Sequence, residues 1–159
     1  MRVIKFGVIS IIFLFLLLTA FSLLIPSHVR ISKAIDIRTS RDAALQEIEN
    51  LPNWKKWYPG ADSADIYISG ERLDLDAPDP RLTVESDSSV IMKVNRNTQS
   101  AWILYGSSPG LVTVQWYMDF RLRWYPWEKF SGLLLEGRYG PQMEKGLEKL
   151  RTVLESDNR

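Results

Sequence analysis

The hydrophobic pattern changes period several times along this chain, and each change marks a new element. From Phe6 to Ile25 there are 20 residues without a charge, about 30 Å as a helix and enough to cross a hydrocarbon core. Pro26 ends the run. Val29 to Arg38 then alternates, with Val29, Ile31, Ile35 and Ile37 on one face, Lys33 breaking that row, and Arg30, Ser32, Asp36 and Arg38 on the other. That is a half-buried strand. Thr39-Ser40-Arg41-Asp42 has the Thr-x-x-Asp form of a capping box, and Ala44, Leu45, Ile48 and Leu51 follow at helical spacing. Leu51-Pro52-Asn53 stops the helix. A shorter one over Trp54 to Tyr58 puts Trp54 and Trp57 on one side, and Pro59-Gly60 turns the chain.

The middle reads as strands and turns. Ala64–Ser69, Arg81–Ser86, Ser89–Asn95 and Ala101–Tyr105 are short alternating runs, with Asp87-Ser88 as a hairpin turn. Residues 70–80 are acidic and proline-containing, at best an edge strand, and Ser107-Ser108-Pro109-Gly110 is a turn by composition. Leu111 to Trp124 is the cleanest strand. Val112, Val114, Trp116, Met118, Phe120, Leu122 and Trp124 share one face, opposite Thr113, Gln115, Tyr117, Asp119, Arg121 and Arg123. A slip of one residue would bury three charges, so the facing is strongly specified. A helical stretch over 128–138 precedes a last helix, Pro141 to Glu155. Its stripe is Met143, Leu147, Leu150 and Leu154, with Val153 beside the last, and Gly140-Pro141 marks its start. Strand, two short helices, a run of antiparallel strands and a closing helix make an α+β domain.

The apolar run sets two parts: 1–26 as a transmembrane anchor and 27–159 as the folded domain. Phe6, Phe13, Phe15, Phe21 and Ile25 are its large lipid-facing residues. A cleaved signal peptide is the rival, with Ala20-Phe21-Ser22 as a cleavage site, but Leu23, Leu24 and Ile25 carry the run past it. Of the 20 Lys and Arg residues, Arg2 and Lys5 precede the run, which leaves 18 against 19 acidic residues in the domain. With no basic excess to neutralise a phosphate backbone, nucleic acid is not an expected partner. Arg2 and Lys5 favour a cytoplasmic N-terminus, whereas Arg30, Lys33, Arg38 and Arg41 pull the other way. The short tail and the likeness to an uncleaved signal tilt the domain to the extracytoplasmic side.

This order of elements, with LPNWKKWYPG after the first short helix and YGPQMEKGLEKL in the last, resembles the START-like superfamily. That group is also called SRPBCC, the polyketide cyclase/dehydrase and lipid-transport proteins with the birch-pollen-allergen fold. The matching pieces are the strand end Ile35–Ser40 running into a helix, Trp54-x-x-Trp57-x-Pro59, and Gly146-Leu147-x-x-Leu150 with Glu155. They cover roughly Val29 to Glu155, and an apolar anchor ahead of them looks like a membrane-bound bacterial subgroup. The resemblance implies a helix-grip fold, a curved antiparallel sheet closed on a long C-terminal helix with a hydrophobic cavity between them. The superfamily holds lipid carriers, hormone-binding proteins, cyclases and chaperone activators, so it selects no single activity.

In such a fold, core and cavity share one lining. Trp54, Trp57, Trp102 and Trp116 are candidates for it, with Val114, Met118 and Phe120 from the longest strand and Met143, Leu147 and Leu150 from the closing helix. There is no cysteine, and the only histidine, His28, lies at the membrane joint. A thiol or Ser/His/Asp nucleophile and a His- or Cys-based metal site are therefore excluded. Asp62/Asp65 and Asp74/Asp76/Asp79 lack the spacing of a calcium loop and read as solvated loops. No cofactor and no metal are implied. Asp119 and Arg121 are expected to pair on the polar face of their strand. Tyr125-Pro126-Trp127-Glu128-Lys129-Phe130 reads as a packed corner, with a cavity mouth or a bilayer contact as the alternative. The favoured reading is a membrane-tethered, non-enzymatic module that binds a hydrophobic molecule or lipid. A cyclase or dehydratase would need an acid or base facing inward, and the apolar faces offer none. An adaptor of the chaperone-activator kind would instead show an exposed apolar surface.

Overall fold

The computed structural model describes residues 2–61, 65–108 and 110–156. Asp62, Ala64 and Pro109, assigned above to an acidic pair, a strand end and a turn, lie outside them. Helix α1 (Arg2–Ser22) is long and apolar enough to span a membrane, and the rest of the protein covers none of its apolar window. A signal sequence near an N-terminus can meet the same criterion of length and composition. Phe6, Phe13, Phe15 and Phe21 all point outward. The helix ends at Ser22, three residues before the apolar run does. Leu24 and Ile25 reach back only to the Phe21 and Ser22 carbonyls, at 3.1 Å each, in tight three-residue turns. Ile25 is half-buried as a result, off the helix.

Strands β1 (His28–Ile37), β4 (Leu82–Ser86), β5 (Ser89–Lys93), β6 (Thr98–Ser108) and β7 (Leu111–Arg121) form one antiparallel sheet in the order β1-β7-β6-β5-β4. A separate hairpin pairs β2 (Asp65–Ile68) with β3 (Glu71–Asp74), so the 70–80 segment does supply a short strand. β6 is longer than its alternation suggests, because β7 offers a partner along nearly its whole length. β7 shows the expected facing, with Val112, Val114, Trp116, Met118 and Phe120 buried and the alternate residues half-exposed up to Asp119. It stops at Arg121, not Trp124. There both ladders run out, since His28 is the last partner from β1 and Thr98, opposite Phe120, the last from β6. Trp124 is left 60% exposed.

The outer face of the sheet is a polar lattice. Asp119 pairs with Arg30, directly opposite it on β1, through bonds of 2.6 and 2.8 Å, rather than with Arg121. His28 opens β1 and sits 3.5 Å from the same carboxylate. Lys33, which breaks the apolar row of β1, reaches Glu136 at 3.0 Å and Glu144 at 2.9 Å on the closing helix. Those two carboxylates raise its pKa, Glu144 foremost.

Helix α2 (Arg41–Glu49) is capped by Ser40, one residue beyond the expected Thr39. Ser40 is extended (φ −79°, ψ 154°) and its hydroxyl accepts from the Ala43 N–H, whereas Thr39 is buried. A 3-10 turn, Leu51–Asn53, leads into α3 (Trp54–Trp57). At the other end of the chain, α4 (Pro126–Gly132) and α5 (Leu135–Ser156) divide the stretch expected as one helix before Pro141. Pro141 does not start α5 but lies inside it. It has no N–H to give the Gly137 carbonyl, and Gly137 is exposed, where water can satisfy that group. The stripe Met143, Leu147, Leu150 and Leu154 is buried against the sheet. Gly146 shares that face for a steric reason. A Cβ there would stand 2.8 Å from Trp116 and 2.9 Å from the Pro59 ring.

Candidate functional site

The interior between sheet and helices is built around four tryptophans. Trp54 and Trp57 come from α3, Trp102 from β6 and Trp116 from β7, all at most 1% exposed. Their rings are in contact, with centroids 5.0 Å apart for Trp54–Trp102, 5.3 Å for Trp102–Trp116 and 6.2 Å for Trp57–Trp116. The Trp54 indole N–H donates to the Ile48 carbonyl at 2.7 Å, which ties α3 to α2. That of Trp116 donates to the Ser100 hydroxyl at 2.8 Å. Among the described residues, the indole N–H groups of Trp57 and Trp102 meet no acceptor, an arrangement that costs about 1–3 kcal/mol for each donor. Tyr58 stacks on Trp54, and burial pushes its phenol well above the ordinary tyrosine range, so it stays protonated.

Beside Trp116 lies a cavity of about 40 Å³, walled by Tyr58, Pro59, Ile68, Met118 and Met143. Its remaining walls are Tyr67, Tyr139 and Gln142. The same three residues also line an open cleft of about 1010 Å³ at the end of the grip. These three residues therefore border both the small cavity and the cleft. Tyr139 rests on Phe120, with ring centroids 5.1 Å apart, and Phe120 and Leu135 supply further apolar surface in the cleft. Around this surface are Arg96, Arg121, Arg123 and Arg138, against Glu71 and Glu128. Glu128 is engaged by Arg123 at 3.4 Å. The balance favours an anion.

All ten residues expected to line a cavity are buried. Trp116, Met118 and Met143 border the small cavity and Phe120 borders the cleft. Trp54, Trp57, Trp102, Val114, Leu147 and Leu150 border neither and pack against one another and their neighbours. The arginines of the cleft stand at the end of β7, in the loops that follow β5 and β7, and in the first turn of α5, which only the topology brings together. No spacing in the sequence announces them. Elsewhere, Asp76 pairs with Lys55. Asp79 is held by Arg81 at 2.6 Å, and these hydrogen bonds keep its carboxyl below the ordinary aspartate range.

A five-stranded antiparallel sheet closed on a long C-terminal helix, with a cleft at the open end, is the START-like helix-grip fold. Solved structures agree. The chain is similar to an uncharacterized protein from Bacillus thuringiensis, with 15% identity, TM-score 0.55, and coverage of 79% of this chain and 98% of that one. It is similar to an aromatase/cyclase from a Streptomyces species, with 12% identity, TM-score 0.55, and coverage of 83% and 96%. A START superfamily protein from Mycobacterium smegmatis also aligns, with 10% identity, TM-score 0.53, and coverage of 81% and 98%. No family model matches the chain, and no curated protein matches its sequence. At these identities the likeness is one of fold.

Proposed function

We propose that this protein is a membrane-tethered, non-enzymatic module that binds an amphipathic ligand, an apolar chain ending in an acidic group. One observation carries the reading. The cleft and the inner cavity share Tyr67, Tyr139 and Gln142, so an apolar chain that displaces these three side chains passes from the cleft to Trp116 and Met118. The arginines around the cleft then meet the acidic end. The inner walls carry phenols, an amide, thioethers and rings but no carboxylate, histidine or lysine, which speaks against a cyclase or dehydratase there. Helix α1 is the tether, and the domain stands on the extracytoplasmic side.

The test is a titration of residues 27–159, checked for native circular dichroism, with dodecanoate and with dodecanol while tryptophan emission is followed. Saturable binding is expected, tighter for the acid. It should weaken when Arg96 and Arg138 are changed together to Ala. Gln115→Ala should leave binding unchanged, since Gln115 bonds Ser32 and Tyr105 on the opposite face of the sheet. A well-folded domain that binds neither compound overturns the proposal and favours the adaptor reading.

A further inference from the structure

Helix α4 carries its apolar stripe on the outside. A surface helix normally turns that stripe toward the core. Here the buried residues are Pro126, Lys129 and Gly132. Trp127, Phe130 and Leu134, spaced i, i+3 and i+7 from α4 into the turn that follows it, are 61%, 38% and 73% exposed. Trp124 and Leu133 stand exposed beside them.

This facing is fixed by specific contacts. Lys129, 4% exposed, donates through its ammonium to the Ile25 carbonyl at 2.8 Å and to the Ser27 hydroxyl at 2.6 Å. Gly132 sits flush on β1 and the residue that follows β7, where a Cβ would run into the Leu122 side chain and touch Val29 at 3.7 Å. The Arg123 N–H donates to Glu128 at 2.8 Å and sets the entry into the helix. Rolling α4 to bury its tryptophan would break all three.

What covers this face follows from where it is. Ile25 and Ser27, the residues Lys129 grips, come just after α1, and α1 and α4 touch. Leu23 and Leu24, just past α1, are also largely exposed. A bilayer that holds α1 meets α4 at its surface. Trp124, Tyr125 and Trp127 are the residue types favoured at that level, and the cations Arg123 and Arg138 flank the stripe. We infer that α4, with Trp124 and Leu133–Leu134, is a second, interfacial point of attachment of the domain to the lipid bilayer that holds α1. The inference rests on α1 being a membrane anchor. Two attachment points fix the orientation of the domain, and the cleft, lined in part by Glu128 and Arg138, opens at the headgroup layer.

The chain has no cysteine, so one introduced thiol carries one probe. The full chain is reconstituted in nanodiscs of phosphatidylcholine with phosphatidylglycerol. Single variants Leu134→Cys, Leu133→Cys, Leu14→Cys and Glu148→Cys are labelled with an environment-sensitive fluorophore, and lipids with a nitroxide high on the acyl chain serve as quencher. The expected result is a blue shift and quenching at 133, 134 and 14, with neither at 148. Quenching at 14 alone overturns the inference and leaves the anchor standing. Quenching at 133 and 134 without 14 removes the anchor, and with it the inference that α4 is a second point of attachment beside α1. A blue shift at 134 without nitroxide quenching means that protein covers the face, and overturns the inference. No quenching at any position overturns both.

Discussion

Gly146→Ala separates two effects of opposite sign at one position in α5. Replacing a helix-interior glycine by alanine removes backbone entropy from the unfolded chain and gains about 0.8–1 kcal/mol. Against that stands the space available. The new methyl would lie 2.8 Å from Trp116 and 2.9 Å from Pro59, both rigid rings, and Trp116 is further held by its bond to Ser100. Overpacking of this kind costs about 1–3 kcal/mol, so the net expectation is a loss of about 0–2 kcal/mol, with steric cost dominating propensity. Gly137→Ala is the control on the same helix, with nothing within 4 Å of its Cβ. It should be neutral or stabilise by up to about 1 kcal/mol. Denaturant titration of the detergent-solubilised full chain, followed by near-ultraviolet dichroism of the tryptophan cluster, measures both. Stabilisation by Gly146→Ala equal to that by Gly137→Ala would refute the claim that α5 is seated directly on Trp116.

Three further outcomes follow from other parts of the molecule. Leu147→Ala and Leu150→Ala empty positions at most 1% exposed and should each cost about 2–5 kcal/mol in the same titration. Glu148→Ala removes only an exposed pair with Arg151 and should stay within about 0.5 kcal/mol. Asp79 has a lowered pKa in the folded state because Arg81 bonds its charged form. Its contribution is therefore present above the ordinary aspartate range and lost as pH falls through the folded-state value. Asp79→Asn should flatten the acid side of the stability profile, and an unchanged profile would remove the pair from the account. Phe6–Ile25 should remain on the mature protein in the membrane fraction; N-terminal sequencing that starts at Leu23 on a soluble product would end the anchor reading.

Strand facing was the most legible feature of the sequence, because alternation with charges on one side admits a single register on β7. The closing stripe Met143–Leu154 was equally legible, since one face of a helix must be apolar. Element ends were harder to read. Pro141 suggests a helix start, yet α5 was already under way from Leu135, and Trp124 continues an alternation for which no partner strand remains. Lys33 interrupts the row on β1 because its partners, Glu136 and Glu144, lie about a hundred residues away on α5. Long-range pairing of that sort leaves no local trace. The same holds for the arginines of the cleft, for the shared wall of Tyr67, Tyr139 and Gln142, and for the bonds that Lys129 makes to Ile25 and Ser27.

The central claim is that the helix-grip interior and its cleft take an acidic amphipathic molecule. Native mass spectrometry of the full chain, extracted from membranes in mild detergent, tests it most directly. The expected spectrum shows the protein with one added mass, identified after release as a lipid or fatty acid. The addition should be lost when Arg96 and Arg138 are both changed to Glu. A folded wild-type protein that flies only as the bare chain, or an addition that the double variant keeps in full, would contradict the account.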